Sequence, residues 1–183
     1  WLVALDLMIE AEHGSDSAAL LVTDDATLAD RVTSHVRELI TEVPEPRRGY
    51  LTDVFASYGG IVLTSGESES VAIVNEFAPE HLLLHTRDPQ ASAGRITNAS
   101  EVLIGPHTAF SLANYATGPN AVLPTGGWAR SYGPVSVGDF RKSSTVIEVT
   151  PEGYREMAPQ VIRLADHEGF HTHAAALRRR RPE

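Results

Sequence analysis

Hydrophobic positions recur along the first two thirds of the chain in two alternating rhythms. From Leu2 to Ala11, apolar residues fall at helical spacing (Leu2, Leu5, Leu7, Met8, Ile9), and Gly14 closes that helix. Ala18 to Thr23 is a short apolar run bounded by turn residues, the pattern of a buried strand. Asp24 or Asp25 then caps a helix to about Glu42, with Leu28, Val32, Val36, Leu39 and Ile40 on one face, and Pro44-Glu45-Pro46 breaks it. A shorter helix is predicted over Tyr50 to Ser57 and a strand over Gly60 to Thr64. Next comes a helix from about Ser68 to Phe77 with Val71, Val74 and Phe77 inward, then a strand from Leu82 to Thr86. Asp88-Pro89 opens a helix to Asn98, since proline suits the first helical position, and Ala99 to Gly105 is a fourth strand.

Strands alternating with helices at this spacing predict an α/β fold: an open, mostly parallel, Rossmann-like sheet with flanking helices. In such sheets working groups gather beyond the C-terminal edges of the strands. Residues 106 to 142 lose any steady period and are rich in Gly, Pro and Asn; a long irregular segment in a compact domain is more often functional than idle. Ser144 to Val149 regains strand character, Thr150 caps a helix from Pro151 to about Asp166, and a basic helical tail ends in Arg178 to Arg181. The expected division is an α/β portion over residues 1–149 and a helical tail over 150–183.

A net charge of −9 argues against nonspecific binding to nucleic acid or to anionic membrane surfaces. One lysine stands against fourteen arginines, a bias that fits nucleotide composition better than function. With no cysteine, disulfides and thiolate metal sites are excluded, so a transition metal would need His, Asp, Glu, Asn or Gln. No apolar run approaches the roughly 20 residues of a membrane span. The chain begins at Trp1 in what reads as the middle of an amphipathic helix, which leads us to expect an N-terminally truncated fragment.

Three clusters carry candidate chemistry. Glu10 and His13, spaced i, i+3, share a helix face and form a plausible chelating pair, although a surface Glu–His pair at a helix end is the commoner outcome. Glu80-His81, after Ala78-Pro79, sets a carboxylate beside an imidazole at a helix-to-strand junction. His81 suits a general base and Glu80 an orienting or water-activating group, and a plain structural histidine stays equally open on these residues. His167, His171 and His173 read first as an exposed His-rich helix. The loop around Thr117-Gly118-Pro119 follows no strand, and no G-x-G-x-x-G fingerprint occurs in the chain.

Taken in order, these segments resemble the C-terminal half of the histidinol dehydrogenase family over nearly the whole chain. The anchors are Glu12-His13-Gly14 with Asp16-Ser17; Pro79-Glu80-His81-Leu82; Asn114-Tyr115-Ala116-Thr117-Gly118 with Asn120 and Val122-Leu123-Pro124-Thr125; Asp139-Phe140 with Lys142; and Glu168 with His173. The resemblance implies a cytoplasmic, zinc-dependent, NAD-linked homodimer of the histidine-biosynthesis type. Such an enzyme oxidises a primary alcohol, L-histidinol or a similar polar alcohol, through an aldehyde to a carboxylate. By the same resemblance Glu10, His13 and Asn114 would hold zinc together with the partner's His173, and the tail would serve dimerisation. His81 would take the alcohol proton, and both His81 and Tyr115 would contact the substrate. Glu80 would activate water, and the partner's Glu168 would hold the substrate's amino group.

Three positions depart from the family pattern: Glu10 stands for a usual glutamine, Asn114 for an aspartate, and Ala121 for a substrate-contacting histidine. The first two exchanges conserve the ligand charge; the third puts the substrate in question, because a site built to hydrogen-bond a group discriminates strongly for it. A non-catalytic or altered-substrate relative is therefore the alternative. A third possibility is an interaction module that uses the arginine tail. The family's nucleotide-binding domain lies upstream of the matched region, so the chain alone is expected neither to bind NAD well nor to turn over.

Overall fold

The computed structural model describes residues 1–180; Arg181, the last of the arginine run, and the two residues after it lie outside the described residues. The chain forms two units, the first spanning Trp1–Phe140 and the second beginning at Arg141.

In the first unit, helix α1 (Leu2–Ala11) leads to strand β1 (Ala19–Thr23), helices α2 (Ala26–Ile40) and α3 (Arg47–Ser57), and strand β2 (Gly59–Leu63). The Asp25 carboxylate accepts a hydrogen bond from the Leu28 amide at 3.0 Å and so caps α2. Strands β1 and β2 pair in parallel, Ala19 opposite Gly59 through Thr23 opposite Leu63. Their core joins Ala4, Met8 and Ala11 of α1 to Val32, Val36 and Leu39 of α2 and Leu51 and Val54 of α3. The stripe expected of α2 is the one buried, but of the residues expected to form the apolar face of α1 only Met8 is fully buried. Leu2 and Leu5 are exposed, and α1 packs through Ala4, Met8 and Ala11, because apolar residues run nearly all round this helix and periodicity alone does not choose its face.

Helix α4 (Glu67–Phe77) then leads to β3 (His81–Leu84), α5 (Pro89–Ala93) and β4 (Glu101–Ile104), with β3 and β4 again parallel. The α/β class and the parallel sense match expectation. The strands, however, form two separate two-stranded ladders instead of one sheet, because periodicity identifies a strand without naming its neighbour. Helix α5 stops at Ala93, well short of Asn98. The Asn75 side chain captures the Thr97 amide at 2.8 Å and the Asn98 amide at 3.2 Å, holding that stretch as a turn. Phe77 is largely exposed instead of inward-facing. Helix α3 begins at Arg47, three residues before the expected start, where Glu45 accepts from the Gly49 amide at 3.1 Å.

The segment expected to be irregular contains a helix, α6 (Phe110–Tyr115), followed by loops and two short 3-10 turns at Trp128–Arg130 and Val137–Phe140. Helix α6 carries Asn114 and Tyr115.

In the second unit, Ser144 to Val149 forms no strand. Val146 and Ile147 are 92% and 79% exposed, so β-branched composition without a partner strand produces only an extended loop here. Thr150 caps helix α7 (Pro151–His167), its hydroxyl accepting from the Gly153 amide at 3.1 Å. Gly169, at φ 76°, ends the helix and lets the Phe170 amide bond back to the Ala165 carbonyl at 2.8 Å. Helix α8 (His171–Arg179) returns against α7, where Ala158 and Ala165 of α7 and Ala174 of α8 are the buried residues and Arg178 is paired to Asp166. No helix among the described residues is long and apolar enough to cross a membrane.

Candidate active site

Four places in the first unit contribute to the candidate site: the C-terminal end of α1, the start of β3, the start of β4, and α6. At the end of α1, Arg47 donates to the carbonyl oxygens of Glu12 at 2.8 Å and His13 at 3.4 Å, covering carbonyls the helix leaves unbonded. His13 Nδ1 lies 3.2 Å from the Glu10 carbonyl oxygen and 3.3 Å from Glu10 Oε2. A carbonyl only accepts, so the proton sits on Nδ1 and the Nε2 lone pair is free. Across the gap, the Asn114 side-chain amide donates to Glu10 Oε1 at 3.3 Å. Asn114, Tyr115, His13, Glu12, Ile9 and Arg47 line an open cleft of about 220 Å³. Tyr115 stands at its rim, 90% exposed.

The other half of the site depends on how the chain enters β3. Ala78 ends α4 in the left-handed region at φ 54°, and Pro79 follows, so the backbone turns sharply before Glu80. The entry is pinned by backbone hydrogen bonds from the Ser100 amide to the Pro79 carbonyl at 3.1 Å and from the Glu101 amide to the Glu80 carbonyl at 3.0 Å. Parallel register then puts His81 opposite Glu101. His81 Nδ1 is 2.7 Å from Glu101 Oε2, Nε2 is 3.6 Å from Glu80 Oε1, and the two paired side chains are 11% and 12% exposed. Phe110 packs edge-on against the imidazole, with ring centroids 5.9 Å apart.

The Glu80 carboxyl is held above the usual carboxylate range, first by burial. His81 pulls the other way, Glu10 pushes up, His13 pulls down, and Glu101 adds a last upward push. Glu80 thus lies within the fields of all four neighbours. The fold brings Glu10, His13, Glu80, His81 and Asn114 together from sequence positions up to 104 residues apart, with Tyr115 beside them. Ala121 is exposed in the loop after α6. Glu168 and His173 belong to the second unit: Glu168 follows the last turn of α7, and His173 lies in the first turn of α8 with its ring 5.2 Å from that of Phe170. Glu101 is the residue the sequence reading passes over; its signal was the strand register that pairs it with His81.

The donors suit a borderline cation such as zinc. Among the described residues no group of three or more His, Cys, Asp or Glu side chains is placed to hold a metal ion. The first unit instead offers one carboxylate, one imidazole with a free nitrogen, and one amide. As placed, the Asn114 amide turns its nitrogen, which cannot bind a metal, toward Glu10 at 3.3 Å. Turning over the Asn114 amide would present its oxygen in place of its nitrogen.

Comparison with known proteins puts this geometry in a family context. The family model described as histidinol dehydrogenase matches residues 1–181. A histidinol dehydrogenase from Synechocystis sp. is 51% identical over 98% of this chain and 41% of its own length. A protein of Mesorhizobium japonicum named histidinol dehydrogenase homolog 2 is 47% identical over 96% of this chain and 40% of its own. The crystal structure of histidinol dehydrogenase from Elizabethkingia anophelis superposes with a TM-score of 0.87 at 32% identity, covering 96% of this chain and 40% of that one. The chain thus spans about two fifths of the length of the relatives it matches. A family match from end to end, with a relative more than half identical, leaves one assignment: the chain belongs to the histidinol dehydrogenase family.

Proposed function

We propose that this chain supplies the acid–base and most of the metal-binding groups of a zinc-dependent, NAD-linked dehydrogenase that oxidises a small polar primary alcohol, through the aldehyde, to a carboxylate. The observation that carries the reading is the placement of Glu80 beside His81 at the entry of β3, with Glu80 within the field of Glu10 and His13. Glu10, His13 and Asn114 would hold the zinc, with the partner's His173 completing the set in a homodimer. Zinc, when bound, polarises the alcohol oxygen and anchors the substrate; NAD, when bound, accepts the hydride.

The chain's own residues divide the remaining work. His81 presents Nε2 and takes the hydroxyl proton as hydride leaves the carbinol carbon. Glu80 then takes a proton from water as the water oxygen adds to the aldehyde carbon. As water adds, protonated His81 returns its proton to the aldehyde oxygen, giving the hydrate. His81 then takes a hydroxyl proton from the hydrate as a second hydride leaves for a second NAD. The acid formed gives its last proton to solvent and leaves as the carboxylate. Glu80 suits this step because its raised proton affinity makes it a stronger base than an ordinary glutamate. Tyr115 at the rim and the partner's Glu168 would contact the substrate's polar end.

Ala121 favours a substrate other than L-histidinol, since a methyl group there offers no hydrogen bond. The test is alcohol-dependent NADH formation by the full-length protein against a panel that includes L-histidinol and other small polar alcohols. His81→Ala is expected to lower the rate on the preferred alcohol by about 100-fold or more. An undiminished rate would overturn the assignment of the base. Zinc measured near one per subunit supports the ligand set, and its loss on Glu10→Ala is the expected companion result.

A further inference from the structure

Glu101 has a place in this arrangement that its sequence position does not announce. It opens β4, twenty residues after His81, and meets it only because β3 and β4 pair in parallel from their first residues. Its Oε2 lies 2.7 Å from His81 Nδ1, a short separation of the charge-assisted kind, and both side chains are close to nine-tenths buried. The opposite ring nitrogen, Nε2, is the one that faces Glu80. The ring itself is clamped from the side by Phe110.

We infer that Glu101 is a positioning residue for the base: its carboxylate keeps the His81 proton on Nδ1, presents the Nε2 lone pair to the substrate hydroxyl, and stabilises the imidazolium formed when that proton is taken. The inference rests on the proposed role of His81. The physical reasons are two. A carboxylate only accepts, so the Nδ1 nitrogen beside it must be the protonated one in the resting site, and Nε2 is left basic. Once Nε2 takes the hydroxyl proton, the ring is cationic, and a partly buried carboxylate at 2.7 Å lowers the energy of that state relative to the neutral ring. Glu80 is poorly placed for both tasks, because 3.6 Å exceeds a hydrogen bond and it faces the nitrogen that must stay free.

An ion pair that merely tied β3 to β4 would produce the same distance. The ladder between these strands is already held by backbone bonds, among them the one from the Glu101 amide to the Glu80 carbonyl. A double-mutant cycle separates the two roles. In the full-length protein, Glu101→Gln is expected to lower kcat about 10- to 100-fold while KM for the alcohol stays within about twofold. The glutamine amide can donate to Nδ1 and so favour the wrong tautomer, and it cannot neutralise an imidazolium. In a His81→Ala background, where there is no ring to orient, Glu101→Gln should cost nothing further. Glu101→Ala carries the same cycle should the glutamine variant fold poorly. A Glu101→Gln rate within twofold of the parent, or an equal loss in both backgrounds, overturns the inference and leaves His81 as base untouched. If His81→Ala itself runs at the parent rate, the base assignment and this inference fall together.

Discussion

Glu80 sits where a carboxylate is badly solvated, and the consequences for stability and for chemistry point in opposite directions. Its proton affinity is raised above the ordinary value of 4.5, chiefly by burial. A carboxyl raised on folding contributes its full stability below that ordinary value and loses it as pH climbs through the raised one. Near neutral pH Glu80 is therefore a liability to the fold, kept beside its proposed water-activating role. Glu80→Gln, of equal size but uncharged, should melt at a higher temperature than the parent at about pH 7, and the gain should vanish as pH falls toward about 4. Melting curves across that range check it; a gain of the same size at both ends would trace to packing and not to charge. The same substitution should stall the aldehyde-to-carboxylate step while sparing the first hydride transfer. Of these site groups, Glu10, His13, Glu80 and His81 are legible in sequence because each pair is local. Glu101 is not, because its meeting with His81 depends on strand pairing, which composition does not encode.

At the scale of elements, the periodic segments were read with least error where one face is buried. Helix α2 shows its apolar stripe plainly, whereas α1 leaves Leu2 and Leu5 exposed and buries Ala4, Met8 and Ala11; Leu51 and Val54 of α3 complete the same core. Fully buried Leu51 anchors α3 beneath α1 and α2, so Leu51→Ala should cost about 3 kcal/mol in denaturant unfolding, within the usual range for a buried leucine. Leu63, mostly exposed at the end of β2, should tolerate serine within about 0.5 kcal/mol. Comparable losses at the two positions would mean that the helical core is not where the first unit's stability lies. The misread elements share a cause. Ser144 to Val149 has strand composition but no partner, and the stretch after Ala93 is drawn into a turn by a distant asparagine, Asn75. Helix α6, only six residues long, is hidden in a Gly- and Pro-rich segment whose composition speaks for its loops. The first two outcomes turned on whether a neighbour in space was present, which local pattern cannot supply.

For the whole molecule, the second unit raises the question of what completes the site. Met157, Val161 and Leu164 fall at helical spacing along α7, and all are substantially exposed, as is Phe170 just beyond it. An apolar stripe of this kind supports burial against another subunit, in line with the proposal that the partner's His173 and Glu168 serve the site. Mixing defective subunits tests that proposal directly. In full-length protein, a His81→Ala subunit lacks the base, and a His173→Ala subunit lacks the tail ligand. If sites are shared, each mixed dimer holds one site built from the intact first unit of one chain and the intact tail of the other. Random pairing makes half the dimers mixed, so co-expression should restore about a quarter of the parent activity, although neither variant alone is active. If instead each subunit completes its own site, every site in every dimer carries one lesion, and the mixture can do no better than the average of the two variants. A rate at that average would remove the shared site from the proposal, while leaving His81 and Glu80 to be judged on their own variants.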